Sequence, residues 1–262
     1  MKLNYFIVCH DKNIIDKQIK NNQFIKLNKY KYLFVGNKKI NKLNNQIVCR
    51  DLEHNIENYT NLCSFTAWYA VSKNNISDLK KICFIEYDTN IISEPFLNDL
   101  EENEINCYSI TLFDHYVFYK STPWLEIALK KIYNINLHEF VKHYSDRYKF
   151  WPTTTNIALT KDVLDKFVDW FLPMTEIFKH DPLGAYVHER AFFIFCILHN
   201  IKMRYSANIF DHQQASSHKI NDFYGSFLSN KNSTELTESM IPEYDELYDR
   251  LLRNCLAKLR NQ

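Results

Sequence analysis

Two acids stand two residues apart where an apolar run ends: Lys81-Ile82-Cys83-Phe84-Ile85 leads into Glu86-Tyr87-Asp88-Thr89-Asn90. Residues i and i+2 of an extended chain face the same side, so the run predicts a strand presenting the carboxylates of Glu86 and Asp88 together at its C-terminal end. In open α/β sheets ligands bind at those ends. One or two carboxylates there suffice to hold a hard divalent ion that bridges a diphosphate. The plainer alternative is an acidic turn that only solvates the strand end. His10, after the apolar run Phe6–Cys9, can hydrogen-bond a ligand or, with Asp11, cap the next helix. Glu189, in His188-Glu189-Arg190-Ala191-Phe192-Phe193, opens an expected helix, where the dipole favours an acid by about 0.3–1 kcal/mol without any catalysis. A late polar stretch, 211–219, carries His212, His218 and Lys219, which read equally as solvated loop side chains.

These residues need elements to position them. Short apolar runs alternate with segments of helical period, the pattern of an α/β fold. Strands are expected at Asn4–Cys9, Lys31–Val35, Gln46–Cys49 and Lys81–Glu86, the last apolar enough to be covered on both faces. Further strands are expected at Cys107–Ile110 and Tyr116–Tyr119, an extended segment at Trp151–Leu159, and a late strand at Lys202–Phe210. Helices are expected at Asp11–Asn22, Asn58–Lys73, Ser121–Tyr133, Leu137–Tyr148, Lys161–Phe178 (interrupted at Pro173), Tyr186–His199 and Glu243–Leu259. The first of the long ones carries Leu62, Phe65, Tyr69 and Ala70 at three-to-four spacing, and the last turns Leu247, Leu251, Leu252 and Leu256 inward. Residues 87–95 read as a loop closed by Pro95, and 211–237 as a mobile loop. No repeat or Pro/Gly/Ser linker divides the chain, so one domain is expected over 1–262.

The 262 residues are 46% hydrophobic, enough for a substantial core and too many for a disordered chain. Lys plus Arg number 32 against 31 Asp plus Glu, a formal charge of +1, which argues against nucleic acid or an anionic membrane held by bulk charge. Only 3 glycines occur, which excludes Gly-rich phosphate loops. The 7 cysteines are dispersed without a CxxC pair and read as reduced buried thiols, against a sulfur-based zinc site. The N-terminal apolar stretch is too short for a signal peptide, and no run is long enough to span a membrane. The expectation is a soluble, cytoplasmic protein.

An apolar strand ending in acid-x-Asp a third of the way along such a chain resembles the nucleotide-sugar glycosyltransferases of the GT-A fold, whose DxD motif binds a divalent metal and the donor diphosphate. Here the first acid is Glu86, a departure from that pattern, and Asp88 is the ligand that carries over more directly. Phe6-Ile7-Val8-Cys9-His10 resembles the first strand and turn, where base and ribose rest. Asn61-Leu62-Cys63-Ser64-Phe65-Thr66-Ala67-Trp68-Tyr69, with Lys73-Asn74 following, resembles the helix before the DxD strand in bacterial polysaccharide transferases. The His188-Glu189-Arg190 stretch after Asp181-Pro182-Leu183-Gly184 resembles the segment where inverting members place their general base. The family also draws a last metal ligand from a C-terminal loop.

The resemblance implies a mixed, mostly parallel Rossmann-type sheet flanked by helices, with the nucleotide-sugar half in 1–120 and the acceptor half in 121–262. It implies a metal-dependent transfer of a hexose or deoxyhexose from a nucleotide-diphosphate sugar to an oligosaccharide or glycoconjugate hydroxyl, with inversion. Glu189 is the implied base, with Asp181 in reserve. Mn²⁺ or Mg²⁺ falls to Asp88 and Glu86, with His212 or His218. Donor contacts fall to Val8, His10, Thr66, Glu86, Tyr87, Asp88, Asn156, Arg190 and Lys219. Trp124, Tyr148 and Trp151 are candidates for a sugar-stacking floor, though aromatics at these positions are as readily core. Two competitors remain: a metal-dependent phosphohydrolase or nucleotidyltransferase using the same acids, and a non-catalytic binding module on the same fold.

Overall fold

The computed structural model describes residues 4–10, 30–36, 46–77, 80–87, 89–91, 100–107, 110–112, 122–144, 150–152, 156–181, 184, 186–205, 210–212 and 241–261. In chain order these hold β1 (Asn4–Cys9), β2 (Tyr30–Phe34), β3 (Gln46–Val48), α1 (Ser64–Lys73), β4 (Lys81–Glu86), β5 (Thr89–Ile91), β6 (Glu104–Cys107) and β7 (Ile110–Leu112). There follow α2 (Thr122–Tyr133), α3 (Leu137–Tyr144), β8 (Phe150–Pro152), β9 (Ile157–Thr160), α4 (Lys161–Phe178), α5 (Val187–Leu198), β10 (Lys202–Tyr205), β11 (Phe210–His212) and α6 (Ile241–Arg260). The expected helix at 11–22 and strand at 116–119 lie outside the described residues.

Seven strands form one sheet in the order β10-β6-β9-β4-β1-β2-β3. Every pairing is parallel except those of β9, which runs against both β4 and β6. The sheet is therefore mixed and mostly parallel, as the resemblance implies. Two small ribbons lie outside it: β5 with β11, and β7 with β8, both antiparallel.

Alternation along the strands separates two cores. Phe6, Val8, Ile82 and Phe84 face the larger one, together with α1, α2, α4 and α5. Tyr5, Ile7, Cys9, Cys83, Ile85 and Tyr87 face the smaller one. Trp68 of α1 is 1% exposed and stacks on Phe84 of β4, with centroids 5.1 Å apart and planes at 15°. Its edge meets Phe192 of α5 at 5.0 Å. One indole therefore ties the central strand to the helix that carries Glu189.

Several boundaries differ from the sequence expectation, each for a local reason. The helix expected from Asn58 starts at Ser64, because Thr60–Leu62 winds as a 3₁₀ turn and Cys63 sits at φ 42°, ψ −120°. Buried on nearly every face, α1 packs Trp68 inward where the three-to-four pattern points to the half-buried Tyr69. Pro173 does not interrupt α4, whose residues Phe167, Phe171, Met174, Ile177 and Phe178 are all buried. Their packing outweighs the hydrogen bond that proline removes. At its start, Thr160 Oγ1 caps the helix by accepting from Val163 N–H at 3.3 Å.

The expected strand at 107–110 is two strands, β6 and β7, in different sheets, and the extended segment at 151–159 likewise divides into β8 and β9. The single late strand divides into β10 and β11, and the loop expected at 87–95 contains β5. Among the described side chains of α6, Leu252, Cys255 and Leu259 face inward and Leu256 is exposed, while those of Leu247 and Leu251 lie outside the described residues. Trp124 is 1% exposed in the core and belongs to no sugar floor. Tyr148 and the Trp151 side chain lie outside the described residues.

Candidate active site

β1 lies between β2 on one side and β4 on the other, so the carboxyl ends of β1 and β4 flank the point where the strand order reverses. That is where open α/β sheets bind ligands. Tyr87 N–H donates to Val8 O at 3.1 Å and extends the pairing past the last strand residue. Beyond it, the exposed His10 ring meets the Tyr87 ring edge-on, with centroids 4.5 Å apart at 83°. Val8 is buried in the strand, so any contribution it makes to a ligand falls to its backbone. Thr66 is also buried, one turn into α1.

Glu86 closes β4 on the face of Ile82 and Phe84, the face covered by α1 and α5. Asp88 lies outside the described residues, but its neighbours on both sides are placed. Asn156, immediately before β9, accepts the Glu86 N–H on Oδ1 at 2.8 Å and donates from Nδ2 to Thr89 Oγ1 at 3.0 Å. Thr89 then pairs with His212 in the β5–β11 ribbon. An antiparallel pair holds its Cα atoms about 4.5–5.5 Å apart, so the backbone of His212 arrives one residue from Asp88. The described start of the late polar segment therefore lies beside the strand tip. The His212 side chain, His218 and Lys219 lie outside the described residues.

The second acid approaches from above the same face. His188 is 3% exposed, its ring 6.0 Å from that of Trp68 and 6.5 Å from that of Phe65. This anchors the first turn of α5 over α1. The next residue, Glu189, keeps 17% of its side chain exposed and has Arg190 Nη1 3.4 Å from its Oε2. Arg190 is itself buried and donates to Tyr186 O at 2.9 Å. Asp181 is 7% exposed and ion-paired with Lys258 of α6.

Cys63, between the 3₁₀ turn and α1, feels the charge of both acids. Alone among the seven cysteines it is exposed. Yet crowding by protein, followed by the negative charges of Glu86 and Glu189, raises its thiol pKa. The positive φ of Cys63 is uncommon for a residue with a side chain, and such backbone gathers at functional sites.

Neither Cys63 nor Thr89 stood out in the sequence as a site residue. A cysteine at a positive φ leaves no pattern, and Thr89 shows its role only once β9 is seen beside β4. Glu57 was missed as well. It is 4% exposed, its Oε2 accepts Gly36 N–H at 2.6 Å just past β2, and burial pushes its pKa up. Among the described residues no three His, Cys, Asp or Glu side chains group as a metal site. Nor is any described helix long and apolar enough to cross a membrane.

No known family matches the chain, and no curated protein matches it. Solved structures do. The bifunctional glycosyltransferase WbbM, in its apo form, aligns at TM-score 0.56 and 13% identity over 82% of this chain. This chain covers 46% of WbbM, less than half of that protein's length. The galactosyltransferase LgtC, in complex with donor and acceptor sugar analogues, aligns at TM-score 0.41 and 9% identity, over 92% of this chain and 99% of its own. Core-mannan synthase A of Aspergillus fumigatus, in its Mn/GDP form, aligns at 0.42 and 10% identity, over 84% and 80%. At such identities the likeness speaks for fold alone, and the first alignment carries it. The mixed seven-stranded sheet, with one reversed strand beside the central strand that ends in Glu86, has a GT-A-like fold.

Proposed function

We propose that this chain is a glycosyltransferase that moves a sugar from a nucleotide-diphosphate donor to a glycan hydroxyl, with inversion, as one domain over 1–262. The observation that supports this best is that Trp68 of α1 stacks on Phe84, two residues before Glu86, and meets Phe192, three residues after Glu189, so β4 and α5 are packed through one side chain. Glu86, at the strand end suited to a diphosphate, and Glu189, at the helix suited to a base, both act on one thiol. Donor and acceptor ends of a transfer site must lie near each other, and an acid beyond the strand tip suits the deprotonation of an acceptor hydroxyl.

The residues fit a divalent cation. Glu86 and Asp88 offer hard oxygens, and the pairing of His212 with Thr89 brings an imidazole-bearing residue beside them. Carboxylates suit Mg²⁺ and Mn²⁺, and one imidazole is compatible with the latter. When bound, such an ion supplies positive charge against the departing diphosphate. The chain's own residues do the rest. Glu189 takes the proton of the acceptor hydroxyl as that oxygen bonds to the anomeric carbon and the bond to the diphosphate breaks. Arg190, held by Tyr186 O, fixes the direction of the Glu189 carboxylate. Lys219 offsets charge on the leaving group, and the ring of Tyr87, braced by His10, borders the nucleotide.

Incubation with UDP- and GDP-sugars and Mn²⁺ tests the reading against nucleoside triphosphates. Release of nucleoside diphosphate, lost in Asp88→Asn and in Glu189→Gln, supports it. Cleavage of triphosphates instead assigns the acids to the phosphohydrolase alternative.

A further inference from the structure

We infer that Asn156 is a positioning residue whose carboxamide braces the chain on either side of Asp88, at Glu86 and Thr89, and so sets how tightly the strand tip holds a cation together with a nucleoside diphosphate. This rests on the reading of that tip as the diphosphate site. The antiparallel ladder between β4 and β9 ends at the pair Phe84–Ile157. Past that pair the side chain of Asn156 takes over, accepting the Glu86 N–H at 2.8 Å where no further rung is formed. Its other end reaches Thr89 Oγ1 at 3.0 Å. These contacts grip the chain two residues before Asp88 and one residue after it.

Asn156 is 1% exposed and Thr89 2% exposed. The carboxamide therefore works from beneath the tip rather than by touching donor or acceptor, the role the family resemblance implies for it. The Glu86 bond is partly buried and the Thr89 bond buried, and a buried polar group that loses its partner is costly, so truncating Asn156 loosens the chain at Glu86 and Thr89. Thr89 also begins β5, so the same brace fixes where β11 and the backbone of His212 meet the tip. The carboxamide suits both tasks because it accepts from an amide and donates to a hydroxyl at once.

The test uses the full-length protein. Amide hydrogen exchange of peptides spanning 84–91 is followed without metal, and binding of UDP and of GDP with Mn²⁺ is measured by calorimetry. For Asn156→Ala and Thr89→Val, exchange in 84–91 quickens by about tenfold or more while β1 and β6 keep their protection. Affinity for the Mn²⁺-nucleotide pair falls by about ten- to a hundredfold, the scale expected when a buried hydrogen bond is lost and its partner stranded. Thr89→Ser restores both to within about twofold, because the hydroxyl returns. Combining the two damaging substitutions weakens binding little beyond Asn156→Ala alone, as expected for partners in one bond.

Should Asn156→Ala fail to fold, the two Thr89 variants carry the test by themselves. Wild-type affinity in Asn156→Ala or Thr89→Val overturns the inference, as does unchanged exchange in 84–91. Failure of the wild-type protein to bind either nucleotide with Mn²⁺ overturns the diphosphate reading and the affinity claim with it. The exchange data then judge the brace separately.

Discussion

Cys63 offers a direct probe of the site, because it is the exposed thiol among seven cysteines and both candidate acids act on it. The perturbation is Glu189→Gln, with Glu86→Gln and the double variant beside it. A unit charge near a partly exposed thiolate, where the effective dielectric lies between that of the protein surface and that of water, contributes on the order of 1 kcal/mol. Removing it raises the thiolate population about fivefold at a pH below the thiol pKa. A less basic thiolate is also a weaker nucleophile, with a Brønsted coefficient of about 0.45. The net gain in alkylation rate is therefore about two- to threefold for each single variant and about sixfold for the double. The assay is the rate of alkylation by iodoacetamide, whose neutrality excludes any effect of charge on reagent approach, read by mass spectrometry at Cys63. The gain shrinks as pH rises through the thiol pKa, because both proteins are then fully ionised. A gain that persists at high pH would mean the site had simply opened. An unchanged rate in Glu189→Gln would refute the placement of the α5 acid and the strand tip in one site.

Three further outcomes follow from packing and charge. Gly184→Ala places a Cβ 2.8 Å from Phe178 O and 3.0 Å from its ring, so it destabilises by about 1–3 kcal/mol in urea unfolding and loosens the segment leading to Glu189. Burial raises the pKa of Glu57 above its ordinary 4.5, despite the Gly36 N–H and Arg50 that pull it down. The folded state then binds this proton more tightly than the unfolded one, so its contribution is fully present below about pH 4.5 and lost as pH rises through the folded pKa. Glu57→Gln flattens that fall in stability measured from pH 4 upward. Glu104 is the opposite case: burial pushes its pKa up, but Glu101 N–H, Lys202 and Arg204 together bring it below 4.5. Its stabilisation is present above that value and lost as pH falls through the folded pKa, and Glu104→Gln removes the acid-side loss.

Much of the scaffold is legible in the sequence because it depends on short-range pattern. Apolar runs such as Tyr5–Cys9 and Ile82–Ile85 mark the central parallel strands, and the amphipathic stretch from Lys161 marks α4 even across Pro173. The candidate acids Glu86 and Glu189 stand out for the same reason, each at an element boundary that periodicity reveals. What stayed hidden is what depends on pairing between distant residues. Nothing near Ile157 announces that β9 enters the sheet backwards between β4 and β6, and hence that Asn156 lies beside Glu86. The ribbon joining Thr89 to His212 spans more than a hundred residues and rests on three residue pairs. Cys63 escaped notice because its importance lies in a backbone angle and in two charges brought from separate elements.

Calorimetric titration of UDP and of GDP, each with and without Mn²⁺, into the wild-type protein and Asp88→Asn addresses the site most plainly. One nucleotide should bind the wild type in a cation-dependent manner, and the single loss of that carboxylate should weaken it at least tenfold without altering the melting temperature in the absence of ligand. Equal binding by both proteins, or binding indifferent to Mn²⁺, would contradict a cation-held diphosphate at the end of β4.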